Sequence, residues 1–273
     1  MKRIIIFVFC GIILSAFSVE SFGKEQILVG SFTAVKGKVT VNRGGEEKWE
    51  KAEVDMPVYP GDKVKTETRS EAELILDDGS MLRIEEKTLI EIMDSKIEGE
   101  GEGAKKNFFL NLFSGKTLNN FKKLIHKESK YNVTTKTAIA GIRGTEFSVE
   151  CDEDKTEVAV FEGEVDVASK DVVARPTSSV GATLQSVKVP RDQQTVVEKG
   201  KAPLTPQALS EKSRRYRENI VLKFRKRVEQ NRLRLEEIRN RREAKIEAMR
   251  KKVQDFREKT QKKIQQQREK KLK

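Results

Sequence analysis

The chain has little of what usually carries chemistry or covalent bracing. It holds one histidine, two cysteines, one tryptophan and six prolines in 273 residues. A lone histidine, His126, supports neither a metal site nor a catalytic triad. No G-x-S-x-G, phosphate-loop or zinc-ligand spacing occurs. Catalysis is therefore not expected, and neither a cofactor nor a metal is implied. Proline stops at Pro206 and glycine at Gly200. Apart from the N-terminal segment, no apolar run is long enough to span a bilayer.

What is present in quantity is charge, and it is unevenly placed. The formal net charge is +12, yet from Lys201 onward 26 Lys and Arg face 10 Asp and Glu. That segment carries about +16, which leaves the rest of the chain about −4. The excess base belongs to one segment.

The N-terminus reads as an export signal. Lys2 and Arg3 precede Ile4 to Phe17, an apolar stretch of secretory length. Cleavage after Gly23 gives a polar start at Lys24-Glu25-Gln26, so residues 1–23 are expected to be a signal peptide. The product is then expected in the periplasm or cell envelope. Cys10 lies inside the apolar stretch, a position unsuited to lipidation. Cys151 remains as the one mature thiol, without an internal disulfide partner. It reads as a small apolar residue at a strand end, the sharper alternative being an intermolecular disulfide.

Residues 24–204 show the period of β-structure. Phe32, Val35, Val39 and Val41 alternate about a turn at Gly37. Tyr59-Pro60-Gly61-Asp62 has the chemistry of a tight turn. Ala72, Leu74 and Leu76 share one face and Leu82 and Ile84 return on it, joined by a two-residue Asp78-Gly79 turn. Phe108, Leu110 and Leu112 alternate, Ser114-Gly115 is expected to turn, and Leu118 and Phe121 open another run. Val158, Val160, Val165 and Val167 predict a hairpin around Phe161-Glu162-Gly163-Glu164.

The most specific stretch is Tyr131 to Glu150. Two β-like runs, Tyr131–Thr135 and Thr145–Cys151, flank Ala140-Gly141-Ile142-Arg143-Gly144. Gly141 and Gly144 permit positive φ or close backbone approach, and Arg143 between them is a fixed cation with a five-donor fork. Phe147 and Val149 then alternate with Ser148 and Glu150. This predicts strand, sharp corner, strand.

Thr135-Lys136-Thr137-Ala138-Ile139-Ala140-Gly141-Ile142-Arg143-Gly144-Thr145-Glu146-Phe147 closely resembles the core motif of the FecR domain family, T-P-T-A-x-x-G-x-R-G-T-x-F. Lys136 stands where the family usually has proline. The preceding G-x-V-x-V, P-G-D and L-D-D-G-S-x-L-x-I segments and the following V-A-V-F-E-G-E-V-D-V also resemble it, so the likeness spans about Val29 to Val167. The resemblance implies a mainly β fold, a FecR-like β-sandwich or short β-roll. It also implies a role in the manner of sensors that relay a signal from an outer-membrane transporter to a cytoplasmic sigma factor. Those members carry a cytoplasmic anti-sigma segment and an internal membrane span before the domain, which an export signal replaces here. Gly141, Arg143, Gly144 and Thr145 are the candidate binding residues. Arg143 either braces the corner through nearby carbonyls or reaches a partner carboxylate.

Residues 205–273 change character. Good helix formers dominate, with Thr205 a candidate N-cap and Pro206 the first helical position. Val221, Phe224, Val228, Leu235 and Ile238 form a narrow stripe, resumed at Ile246, Met249, Val253 and Phe256. A long basic α-helix follows, either solvated, single or weakly coiled, or docked on an anionic surface. Arg225, Lys226, Arg227, Arg241, Arg242, Arg250, Lys251 and Lys252 are the cations for that surface. A homodimer through the helix is a further expectation. Nucleic acid would satisfy the same charges, but export makes it the less available partner. The leading expectation is an exported, non-catalytic module that binds an envelope protein or glycan, with the helix attaching it to an anionic membrane surface or partner. The alternatives are a periplasmic signal-transduction protein of the sigma-regulator type and a surface adhesin.

Overall fold

A computed structural model of the chain describes residues 28–98, 103, 105–123, 126–173 and 184–237, together with 240, 247, 251 and 254. The expected signal peptide, Cys10 and the tail cations Arg241, Arg242, Arg250 and Lys252 lie outside the described residues.

The body is mainly β. In chain order the strands are β1 (Gly30–Lys36), β2 (Val39–Asn42), β3 (Trp49–Lys51), β4 (Pro57–Val58), β5 (Lys63–Thr66), β6 (Glu71–Leu76), β7 (Met81–Ile84), β8 (Leu89–Glu98) and β9 (Lys105–Asn120). They continue as β10 (Lys130–Thr134), β11 (Ala138–Ile142), β12 (Glu146–Cys151), β13 (Lys155–Glu162), β14 (Glu164–Val173), β15 (Leu184–Pro190), β16 (Gln193–Glu198) and β17 (Gln207–Ala208). Sheet 1 has the order β4-β1-β6-β7-β9-β12-β13-β16-β17. Sheet 2 has the order β3-β2-β5-β8-β9-β10-β11-β14-β15. Every pairing is antiparallel except β9 with β10.

The two sheets enclose one core. Sheet 1 contributes Leu74, Leu82, Ile84, Phe147, Val149 and Val160, and sheet 2 contributes Val41, Val64, Ile90, Leu110, Val133 and Val165. Phe108, Phe121, Tyr131 and Phe147 form a cluster of tilted and edge-on rings within it, with contacting ring centroids 4.9–6.3 Å apart. The result is a two-sheet sandwich, not a closed barrel. The inward set of the β6–β7 hairpin, Ala72, Leu74, Leu76, Leu82 and Ile84, is the one its alternation predicts.

β9 belongs to both sheets. Residues 105–114 pair with β8 and β10 in sheet 2, and residues 115–120 pair with β7 and β12 in sheet 1. The turn expected at Ser114-Gly115 is therefore a bend inside one strand. Gly115 has φ +91°, and a Cβ there would sit 2.3 Å from the Thr88 hydroxyl. The bend also shifts the parity of burial. Phe108, Leu110 and Leu112 face the core before it, and Thr117, Asn119 and Phe121 are buried after it.

The chain changes sheet repeatedly at tight corners with a left-handed residue. These are Gly37, Asp55, Gly61, Arg69, Lys87, Gly115, Gly144, Gly163 and Asp192. Such a corner re-aims the chain without a long loop. Two expectations change accordingly. β13 and β14 do not form a hairpin, because Gly163 passes the chain from sheet 1 to sheet 2. The β6–β7 connection is wider than expected. Ile75 pairs with Met81, the Leu76 amide bonds to the Ser80 carbonyl at 2.8 Å, and only Gly79 has positive φ. That is a three-residue loop with glycine in the left-handed position.

The C-terminal helix runs through residues 211–237. It comprises α1 (Glu211–Tyr216), a π-helical turn (Arg217–Val221) and α-helix again over 222–237. Ser210, not Thr205, caps it, accepting a 3.2 Å bond from the Ser213 amide. The segment after Pro206 first adds β17 to β16. Among the described residues no helix is long and apolar enough to cross a membrane.

Candidate functional site

The helix lies on the outer face of sheet 1. Strand alternation that points Leu74, Leu82 and Phe147 inward points Ile75, Met81, Leu118, Ala159 and Phe161 outward. Those five are buried against Val221, Phe224 and Val228, with Leu209, Tyr216, Ile220 and Leu235 alongside. The first part of the expected stripe, Val221, Phe224, Val228 and Leu235, thus has its cover in the same chain, while Ile238, Ile246, Met249, Val253 and Phe256 lie outside the described residues.

Acidic side chains flank this apolar strip. Arg227 forms a forked pair with Glu73, with Nε 3.0 Å from each carboxylate oxygen. Glu73 is 2% exposed and also accepts from Arg83 at 2.9 Å. Arg225 pairs with buried Glu146 and lies 3.3 Å from Glu162. Glu146 accepts a second bond from the Asn120 amide at 3.0 Å. The Tyr216 hydroxyl donates to Glu85 at 2.7 Å, and Arg83 reaches the same carboxylate at 2.8 Å. Lys212 and Lys116 both hold Glu150, at 2.7 and 3.2 Å. Arg232 donates to the Gly79 carbonyl at 3.0 Å and to Asn120 at 2.8 Å.

Titration follows this layout. Burial pulls the Glu150 carboxyl upward, but the hydrogen bond from Lys212 and the charges of Lys116 and Lys212 outweigh it and hold the group below its usual range. Burial and the neighbouring Glu85 carboxylate raise the Tyr216 hydroxyl well above its ordinary value, so it stays a donor. Burial pushes the Cys151 thiol up to about 12. That thiol is 6% exposed and donates to the Leu112 carbonyl at 3.4 Å, as the small-apolar reading expects.

The family-like motif is a junction between the sheets. β11 runs through what the sequence predicts as a tight centre, and the corner is Arg143-Gly144-Thr145, passing from β11 in sheet 2 to β12 in sheet 1. Gly144 has φ +85°, and a Cβ there would meet the Lys123 Cα at 2.3 Å. The Thr145 hydroxyl donates to the Glu164 carbonyl at 2.9 Å, and its carbonyl accepts from the Phe121 amide at 3.1 Å. Arg143 is exposed and donates to the Lys127 carbonyl at 3.2 Å. Gly141 departs from expectation. Its φ is not left-handed, and a Cβ there would make only ordinary contact, 3.7 Å from Asn132 Oδ1.

The motif threonines have a role that residue spacing alone did not suggest. Thr135 and Thr137, in the β10–β11 turn, both bond the Thr156 hydroxyl of β13, at 2.7 and 2.8 Å. Thr137 also donates to the Val197 carbonyl of β16 at 3.1 Å. This buried hydroxyl cluster ties sheet 2 to sheet 1.

The tail cations divide. Arg225 and Arg227, expected for an external anionic surface, are engaged inside the chain, whereas Lys226 and Lys251 are exposed. A cleft of about 430 Å³ opens beside the start of the helix, between Glu85, Lys116, Glu150 and Lys212. Its lining mixes both signs of charge and selects neither. Among the described residues no group of three or more His, Cys, Asp or Glu side chains is placed to hold a metal ion.

No curated protein matches the chain. Two crystal structures of one protein, described as a candidate anti-sigma factor from Parabacteroides distasonis, match at 15% identity with a TM-score of 0.39. Each match covers 54% of this chain and 59% of the other, so the chain spans somewhat over half the length of that protein. The family model described as FecR protein matches residues 62–166, from the turn before β5 to the start of β14. With the motif at the sheet junction and the strands that carry it, residues 62–166 of this chain are a FecR domain.

Proposed function

We propose that the chain is a regulatory protein of the FecR type, acting in the cell envelope through contacts with other proteins and without catalysis. The observation that carries this is the FecR domain at residues 62–166. The build of the body agrees with a scaffold. Its motif residues are engaged in joining two sheets, and its strongest polar cluster is engaged in holding a helix.

This favours the signalling alternative over the attachment role for the basic helix, because Arg225 and Arg227 face the protein's own carboxylates. On this reading an exported protein relays its signal through a second, membrane-spanning protein. Deleting the gene and profiling transcripts under iron limitation and envelope stress tests the reading. The expected result is loss or constitutive activation of one such response. Intact responses in both conditions overturn it.

A further inference from the structure

The motif corner carries a cationic cluster that the fold assembles and does not neutralise. Arg143, Lys123, Lys127 and Lys130 are all exposed there. Three features of the backbone bring them together. The left-handed Gly144 lets the Lys123 backbone press on the corner, where any Cβ would collide with it. Arg143 donates to the Lys127 carbonyl at 3.2 Å, within the turn that the Ser129 amide closes on the His126 carbonyl. Tyr131 pairs with Ile142, so Lys130 and Arg143 stand at adjoining ends of β10 and β11. Among the described residues none of the four cations has an ion-pair partner, and Arg143 uses one of its five donors.

The carboxylates around this cluster are engaged with other cations. Glu128 pairs with Lys105 at 3.3 Å and Glu162 with Arg225 at 3.3 Å. Glu164 bonds Lys188 at 3.1 Å, and Asp166 also lies near that ammonium. The chain up to residue 200 carries about −4, so the corner is a cationic spot on a mildly acidic body. Like charges held together on ordered backbone repel one another, and an incoming anion relieves that repulsion while being steered to this one place.

We propose that the motif corner is the docking surface for an acidic segment of a partner protein. Arg143 forks a carboxylate of that segment, and Lys123, Lys127 and Lys130 supply the surrounding charge. A narrow acidic segment reaches the cations alone. A plane of anionic headgroups would also press on exposed Glu128, Glu162 and Glu164, which favours a protein segment over a lipid surface. This contact rests on the regulatory reading for its purpose, but binding is measured on purified protein, so the surface and the transcript response fail separately.

The probe is a fluorescein-labelled oligoglutamate peptide, titrated into the full chain at physiological salt and read by anisotropy. Wild type is expected to bind saturably. The triple variant Lys123→Gln, Lys127→Gln, Arg143→Gln is expected to bind at least tenfold more weakly. The triple variant Lys223→Gln, Lys226→Gln, Lys251→Gln removes the same charge from the basic helix and tail, and is expected to lose less than threefold. No binding by wild type, or equal weakening by the two triples, overturns the proposal. The double variant Lys127→Gln, Lys130→Gln alters side chains that make none of the described hydrogen bonds. It is expected to keep the wild-type melt and to bind at least threefold more weakly, and unchanged binding overturns the proposal whether or not the corner triple folds. Wild-type affinity in Arg143→Lys, which keeps the charge and loses the fork, overturns the forked carboxylate. Co-sedimentation with phosphatidylglycerol vesicles that only the corner variants abolish assigns the corner to lipid and overturns the partner assignment. Self-association lost in the same variants assigns it to a second copy, with the same consequence.

Discussion

Single positions in the motif differ sharply in what they demand. Gly144 is left-handed and pressed against the Lys123 backbone, so Gly144→Ala is expected to destabilise the fold by about 3 kcal/mol. Gly141, in the same motif, sits in a strand with room for a methyl group. Gly141→Ala is expected to leave stability unchanged or raise it by roughly 0.5–1 kcal/mol, because glycine is entropically unfavourable in a strand. Thermal melts of the two variants check the contrast. Lys136 gives a second test. It occupies the second position of the Thr135–Ala138 turn, its φ is not positive, and among the described residues its amide donates no hydrogen bond. Lys136→Pro is therefore expected to stabilise by about 0.4–1 kcal/mol through the unfolded chain, seen as a higher melting temperature. At this scale the sequence was readable where glycine marked a corner. It was silent at Asp55, Arg69, Lys87 and Asp192, residue types that do not announce a left-handed conformation.

Among elements, alternation identified inward faces and a hairpin but could not say which strands share a sheet. The run Glu73-Leu74-Ile75-Leu76 shows why. A strand covered on both faces carries apolar side chains on both, so period two blurs. Ile75 belongs to the helix-facing layer and Leu74 to the core, and only the pairing of β6 with β7 separates them. The apolar stripe of the helix was legible; its resting place was not, since Glu73 and Arg227 are 154 positions apart. The helix start should respond to acid. The folded Glu150 carboxyl titrates below its unfolded value, so its contribution is complete above the unfolded value of roughly 4.3 and is lost as pH falls through the lower folded one. Glu150→Gln removes that term. Its melting temperature is expected to fall less than wild type's between pH 5 and pH 3, and parallel curves would refute the assignment.

For the whole molecule, the FecR segment and the folding unit have different borders. Residues 62–166 include β6 and β13 but exclude β1 and β16, with which they pair. They include β5 and exclude β2. A fragment of residues 62–166 is therefore expected to lack a cooperative melt and the near-ultraviolet signature of packed aromatics, whereas residues 28–237 show both. A cooperative transition in the shorter piece would contradict the topology. The mainly β class was legible from the density of short alternating segments and turn residues, and the FecR resemblance implied a sandwich or a short β-roll. The strand shared by both sheets was not, because Ser114-Gly115 has the chemistry of an ordinary turn and only its neighbours on either side make it a bend.

Contacts near the end of the described helix reach the Gly79 loop. Arg232 grips the Gly79 loop, Lys122 packs on that loop, and the Gly144 corner presses on the adjoining Lys123. Tension on the chain downstream of the helix would thus pass, by way of the Gly79 loop and Lys122–Lys123, into the seam where the two sheets are stitched together.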